Sequence, residues 1–236
     1  MRKKHVLVAG GTAIAVTGGT WAVHDYRSWR RLGVGGLPPN PVGWLVTTAL
    51  RLRGRDPFRV RRPDATPANA AMIDVPARRG ARPRVSRHPI PHRVLYQHPP
   101  QSLREAVQNL FDEFAESSSP ALEYRTSRWE RHNQALCLRT ADYPHPVSRA
   151  AGGEIAHLHP SDASMHLILH PADAQRIIDL GWGELHPLAG VTMGLPATYT
   201  LLYPPQTADD IGPIRTILAA AVTYMTGESA NLDGGV

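Results

Sequence analysis

Between Glu154 and His170 the chain reads Glu-Ile-Ala-His-Leu-His-Pro-Ser-Asp-Ala-Ser-Met-His-Leu-Ile-Leu-His, and no other stretch restricts the fold as tightly. Glu154 to His159 and Ser164 to Leu169 alternate apolar and polar residues as strands do. Pro160 to Ala163 separates them by the length of a turn, so the two runs are expected to form an antiparallel hairpin. Residues two apart on a strand point to the same face, which puts His157 and His159 together. His166 comes back on the second strand within reach of that face. Glu154 has the opposite parity to His157 and joins it only if a bulge intervenes. Three imidazoles on one hairpin are unusual for an exposed polar surface and mark a chemical centre. Such a trio can bind zinc, iron or copper. It can equally supply a base, a proton donor and an oxyanion partner without metal. His170 falls at the start of the next helix and is expected to stand apart.

Gly181-Trp182-Gly183-Glu184-Leu185-His186 follows. Its glycines permit tight turns, Trp182 offers an aromatic wall or a core side chain, and His186 offers a fourth polar group beside the hairpin. His132, on an expected strand from Trp129 to Arg139, is a further neighbour. Asp162, in the hairpin turn, is taken with Trp182 and His132 as substrate-facing. Around these residues the pattern predicts a helix from Ser102 to Glu116, with Ser102 and Glu105 forming a capping box. Further predicted elements are a strand from Leu122 to Thr126, a helix from Pro171 to Leu180, a strand from Thr198 to Tyr203, and a helix from Ala208 to Met225 that Gly212-Pro213 should kink or restart. The expected class is α+β: an antiparallel sheet with a histidine-rich hairpin, packed against two or three helices.

Charge divides the chain. Residues 1–100 hold 18 Arg/Lys against 4 Asp/Glu, and residues 101–236 hold 8 against 16. After Arg2, Lys3 and Lys4, His5 to Val23 runs without a charge, long enough at about 1.5 Å per residue to cross a thin bilayer. No small-residue cleavage site follows it, so an uncleaved N-terminal membrane anchor over residues 1–24 is favoured over a signal peptide. The anchor helix would precede the catalytic domain and make the protein single-pass. Pro41 to Arg53 reads as an amphipathic helix, lying on a membrane or packed on the domain. Residues 25–83 are then a basic, Pro/Arg-rich linker, 84–227 the catalytic domain and 228–236 a tail. Nucleic acid is not expected as a partner, because no binding motif accompanies the basic residues. The one cysteine, Cys137, excludes a disulfide framework and reads as a buried, inert thiol.

Glu154-Ile155-Ala156-His157, His159, His166-Leu167, Gly181-Trp182-Gly183, His186-Pro187-Leu188-Ala189-Gly190, Leu202-Tyr203 and Tyr224-Met225-Thr226 together resemble the luciferase family of bioluminescent fungi and its bacterial and fungal relatives. Asp25-Tyr26, Arg82-Pro83, Thr126-Ser127 and His132 extend the likeness toward the N-terminus. The arginine-rich, lysine-poor composition suits a bacterial member. The resemblance implies an enzyme that oxidises a 3-hydroxy-α-pyrone-type small molecule with O2, without an organic cofactor. In it, an enol loses its proton, a peroxide closes on the lactone carbonyl and CO2 leaves. The residues expected to carry this are His157, His159, His166, His186 and Glu154, with His157 or His159 as the base and Trp182, His132 and Asp162 around the substrate. No metal is expected in that reading. A metal-dependent enzyme using His157, His159 and His166, or a non-catalytic binding module, are the alternatives.

Overall fold

The computed structural model describes residues 18–61, 73–116, 122–139, 143 and 146–227. Its centre is a six-stranded sheet in which every neighbouring pair is antiparallel. The strands are β1 (Leu122–Thr126), β2 (Gln134–Leu138), β3 (Glu154–Leu158), β4 (Met165–Ile168), β5 (Gly183–Leu185) and β6 (Tyr199–Leu202). Their order across the sheet is β1-β2-β3-β4-β6-β5. The helices are α1 (residues 18–30), α2 (Pro41–Leu50), α3 (Gln101–Glu116), α4 (Pro146–Ala151), α5 (Pro171–Asp179) and α6 (Ile211–Thr226). The α+β class with an antiparallel sheet is thus the observed one.

Alternation along the strands sorts the two faces. Leu136, Ala156 and Leu167 pair in one row, on the side where α6 packs on β3 and β4 and α3 packs on β1 and β2. There Val107, Leu110, Phe111 and Phe114 of α3 meet Ile214, Ile217, Leu218, Ala221 and Val222 of α6 in one apolar core. The adjacent row, Ala135, His157, His166, Leu201 and Glu184, crosses five strands on the opposite face. That face is roofed by residues 84–95, which fold back on themselves through the Val85–Val94 bridge. The roof is held from above by the N-terminal helices. The Trp29 indole donates to the Ile90 carbonyl at 2.8 Å, Ile90 N–H donates to Thr47 Oγ1 at 3.2 Å, and Asp25 pairs with His88 at 3.0 Å while accepting from the Trp44 indole at 2.9 Å. Gly43 allows this clamp, since a Cβ there would meet the Pro38 carbonyl at 2.0 Å.

Local chemistry explains where element boundaries depart from the pattern. Helix α3 starts at Gln101 rather than after a Ser102 cap, because the Pro100 carbonyl already accepts from Leu103 and Arg104. The expected strand from Trp129 to Arg139 is cut short, since Ser127 Oγ accepts from Trp129 and Glu130 and closes a turn before β2. The expected helix begins as a 3-10 turn at Ala208–Asp210 and continues as α6 from Ile211, with Pro213 in the first turn, where its missing N–H needs no partner. Helix α4 and the short β5 were not legible as elements.

The expected membrane anchor over residues 1–24, and with it the single-pass membrane localisation, is corrected. Among the described residues no helix is long and apolar enough to cross a membrane. Helix α1 carries His24, Asp25, Arg27 and Arg30 and is tied to the roof through Asp25 and Trp29. Residues 1–17 of that expectation, and the tail 228–236, lie outside the described residues. The helix expected from Pro41 to Arg53 exists as α2 followed by a 3-10 turn at Arg51–Arg53. Its buried residues are Gly43 and Thr47, whereas Val42, Leu45 and Leu52 are exposed.

Gly183 has no room for a side chain: a Cβ there would lie 2.4 Å from the Leu201 carbonyl oxygen of its pairing partner β6. Backbone cannot yield as a flexible side chain does. Gly183→Ala is therefore expected to destabilise the fold by about 1–3 kcal/mol, read as a lowered urea midpoint at unchanged slope.

Candidate active site

The centre of the histidine face is a cross-strand pair, His157 on β3 against His166 on β4, with His159 one step further on. All three rings are buried. The Nδ1 of His166 lies 3.3 Å from Nε2 of His157 and 3.2 Å from Nε2 of His159. The hairpin turn is closed by His159, whose carbonyl accepts from Asp162 and Ala163 and whose N–H donates to the Ser164 carbonyl. Ala163 takes the left-handed conformation that this turn needs.

Each ring is held from behind. Glu154 reaches His157 Nδ1 at 2.8 Å in spite of its parity, because the β2–β3 register slips between Cys137–Glu154 and Leu136–Ala156. The bulge absorbs Ile155 and turns Glu154 onto the histidine face. Glu154 also accepts from Ser127 Oγ at 2.9 Å and from Arg128 N–H at 2.6 Å. The His159 Nδ1 sits 2.8 Å from Ser164 Oγ, which donates to Asp162 at 2.8 Å. The His166 Nε2 lies 3.2 Å from Nδ1 of His92, and the far nitrogen of His92 lies 3.4 Å from Glu184, a carboxylate that also accepts from Tyr203 at 2.7 Å.

Arg93, beside His92 in the roof, is the buried cation of the site. It forms a two-pronged pair with Glu130 at 3.1 and 2.5 Å, and its Nη1 lies 3.0 Å from Nε2 of His159. Burial, then the Arg93 charge, holds His159 well below the ordinary imidazole range. Burial, then the neighbouring His159, does the same for His166, and burial together with His92 does it for His186. These rings are neutral at pH 7. Tyr199 stacks on His166 with ring centres 4.7 Å apart and packs on Trp129 at 4.8 Å; burial and the nearby Glu154 push its phenol well above the usual range. Burial likewise lifts the Cys137 thiol to about 11, as suits an inert cysteine.

Three hollows adjoin the cluster: one of about 200 Å³ is lined by His159 with Gln101, Arg104 and Gln108, and the other two share His186. A small one of about 30 Å³ is walled by His92, His166 and His186 together with Trp129, Leu195 and Tyr199. A wider cleft of about 560 Å³ is lined by Arg55, Arg59 and Arg61 at its mouth and by Gln175, Gly190 and His186.

The structure therefore brings together five of the residues singled out from sequence: Glu154, His157, His159, His166 and His186. Asp162 lies behind His159 rather than against a cavity. His132 stands off on the turn after Ser127, its Nδ1 2.5 Å from the Glu130 carbonyl oxygen. Trp182 is a core side chain, its indole donating to the Pro76 carbonyl at 2.8 Å, and it lines none of the three hollows. The aromatic wall is made instead by Trp129 and Tyr199. His170 caps α5, accepting from Ala172 N–H at 3.2 Å. His92, Arg93, Glu130 and Glu184 escaped the sequence reading. The first two lie in a Pro-rich stretch without periodicity. The one available signal was His92-Arg93 directly after Pro91 in a segment otherwise read as a domain edge.

With this geometry in view, the family model described as "Luciferase domain" matches residues 152–221, the span from the bulged strand β3 into α6. The luciferase of Neonothopanus nambi is 28% identical over 218 residues, covering 87% of this chain and 82% of that protein. The luciferase of Armillaria gallica is 27% identical over 220 residues (88% and 83%), and that of Armillaria mellea is 28% identical over 219 residues (87% and 82%). No solved structure matches. The domain match over the histidine-bearing strands, and relatives aligned over most of both chains, agree with the motifs read from sequence, and the chain is similar to the fungal luciferases.

Proposed function

We propose that the protein is a luciferase-type oxygenase that oxidises a small enolic molecule of the 3-hydroxy-α-pyrone kind with O2, without an organic cofactor. The observation that carries this reading is the pairing of two of the hollows through His186. The wide cleft is of substrate size. The small hollow, at about 30 Å³, has room for a molecule the size of water or dioxygen and is walled by imidazoles and aromatic rings.

The chemistry fits these walls. A substrate enol passes its proton to the neutral histidine cluster and becomes an electron-rich anion. The anion combines with O2, the resulting peroxide closes on the lactone carbonyl, and CO2 leaves with one of the two oxygen atoms. Desolvation by Trp129, Leu195 and Tyr199 shields the peroxide from water. Arg55, Arg59 and Arg61 at the mouth attract an anionic substrate. His157 and His159, expected as the base, do not line the hollow that His166 lines, so their influence on substrate is assigned to contact through His166.

The test is oxygen uptake and CO2 release by purified protein supplied with hydroxypyrones. Alanine at His157, His159, His166 or His186 is expected to lower kcat/KM by about 10²–10⁴-fold, whereas His170→Ala should keep near-wild-type turnover per folded molecule. Wild-type rates in both His166→Ala and His186→Ala would move the chemistry elsewhere. A second measurement addresses the cleft. The kcat/KM for an anionic hydroxypyrone should fall as salt is raised, and Arg55→Ala combined with Arg59→Ala should flatten that dependence while kcat changes little. An unchanged salt slope in the double variant removes the arginines from substrate capture.

A further inference from the structure

Three features of the histidine trio point the same way, and each concerns where lone pairs lie rather than how the rings titrate. The first is tautomer. The Nδ1 of His157 faces the Glu154 carboxylate at 2.8 Å, so it carries the hydrogen and leaves Nε2 bare. The Nδ1 of His159 faces Ser164 Oγ at 2.8 Å, and because that hydroxyl is already donating to Asp162, the ring must be the donor there too. The His166 Nε2 lies 3.2 Å from Nδ1 of His92, and its Nδ1 faces the bare Nε2 of both His157 and His159. The network thus strips the hydrogen from two of the three nitrogens that face each other, and an ion between them selects the tautomer of His166 whose Nδ1 is bare.

The second feature is spacing. Those nitrogens lie 3.2 and 3.3 Å apart about His166, and the three ligand atoms lie within 4.8 Å of one another. Three nitrogens bound at about 2.0–2.1 Å to a tetrahedral ion are separated by about 3.3–3.4 Å. Three lone pairs packed this closely repel unless a cation lies between them.

The third is the layer behind the rings. Two are oriented by an acidic residue: Glu154 holds His157 directly, and Asp162 holds His159 through Ser164. Carboxylates in this relation fix ligand tautomers and raise ligand basicity in metal centres. A second trio, His92, His166 and His186, is similarly close but does not offer three bare nitrogens. His186 Nδ1 accepts from Leu188 N–H at 3.1 Å while the ring also bonds the Pro89 carbonyl, and the His92–His166 contact is itself a hydrogen bond.

We infer that His157 Nε2, His159 Nε2 and His166 Nδ1 hold a divalent first-row transition-metal ion, with imidazole donors suited to iron, zinc or copper. One group must give way. Arg93 Nη1 now donates toward the His159 lone pair, but it also bonds Glu130 and the His92 carbonyl, so releasing His159 orphans no donor. Once withdrawn, Arg93 leaves a positive charge beside the ion's remaining positions, where an anionic oxygen of substrate is favoured. The assignment deepens the oxygenase reading of this same site in what the ion would do, but its test is independent of turnover.

Full-length protein is purified, its metal content is measured, and it is then titrated with Fe(II), Co(II) or Zn(II) after chelator treatment. The expected result is about one equivalent per chain, visible d–d absorption on Co(II) loading of the wild type, and a rise in melting temperature that a chelator reverses. In His159→Ala and His166→Ala the bound equivalent should disappear, and in His170→Ala it should remain. Wild-type protein that takes up none of these ions above background overturns the site without touching the oxygenase reading. Stoichiometric binding that survives both His159→Ala and His166→Ala overturns the choice of ligands. Because the Co(II) spectrum is read on wild-type protein, poor folding of a variant cannot decide the matter.

Discussion

An imidazole taken out of water must find a partner for each ring nitrogen, and here five such rings are buried within one another's reach. Satisfying them governs much of the rest of the structure. The ring nitrogens that point outward from the trio need partners at fixed positions, and those come from the turn (Ser164 and Asp162), from the start of β3 (Glu154) and from the roof (His92). The desolvation penalty for an unmatched polar group is of order 1–3 kcal/mol, comparable to burying a large aliphatic side chain. The apolar core under α3 and α6 stabilises the sheet, but it does not by itself select the positions of these groups. The demands of the histidines do.

The roof shows how those demands are met at a distance. Residues 84–95 have little regular structure, yet they supply His92 and Arg93 to the site and a backbone N–H from Val94 to Asp162. They are positioned by α1 and α2, whose Trp29, Asp25 and Thr47 grip Ile90 and His88. Two helices that bury little of the sheet thus act on the chemistry by holding down the segment that completes it. The arginine-rich first half finds its role in the same way: Arg93 faces inward against Glu130, while Arg55, Arg59 and Arg61 edge the cleft.

The hairpin and the shared face of His157, His159 and His166 were legible because both rest on period-two alternation, a property of the strand alone. Leu122–Thr126 and Pro171–Asp179 were legible for similar local reasons, a β-rich run and a proline at the first turn of a helix. Glu154 lay at the boundary of legibility: parity placed it on the wrong face, and only a one-residue slip against β2, set by the neighbouring strand, brings it back. Trp182 was ambiguous because a tryptophan between two glycines suits a core and a pocket equally, and the acceptor that decided it, the Pro76 carbonyl, is far away in sequence. His92, Arg93, Glu130 and Glu184 were out of reach because they meet the hairpin only through long-range folding. The N-terminal run misled because lack of charge was weighed over Asp25, which with Trp29 ties α1 to the roof.

The cross-strand pairing of His157 with His166 carries a consequence for how this site is inherited and altered. The three central rings are contributed by one hairpin, joined by a turn whose hydrogen bonds close within six residues, from His159 to Ser164. Contacts this local form early and survive changes elsewhere. The surrounding groups arrive from four separate segments, around residues 92, 130, 186 and 199. The site is therefore built as a self-contained cartridge set in an adjustable mount. Changes in the mount can retune access and polarity while the cartridge stays whole.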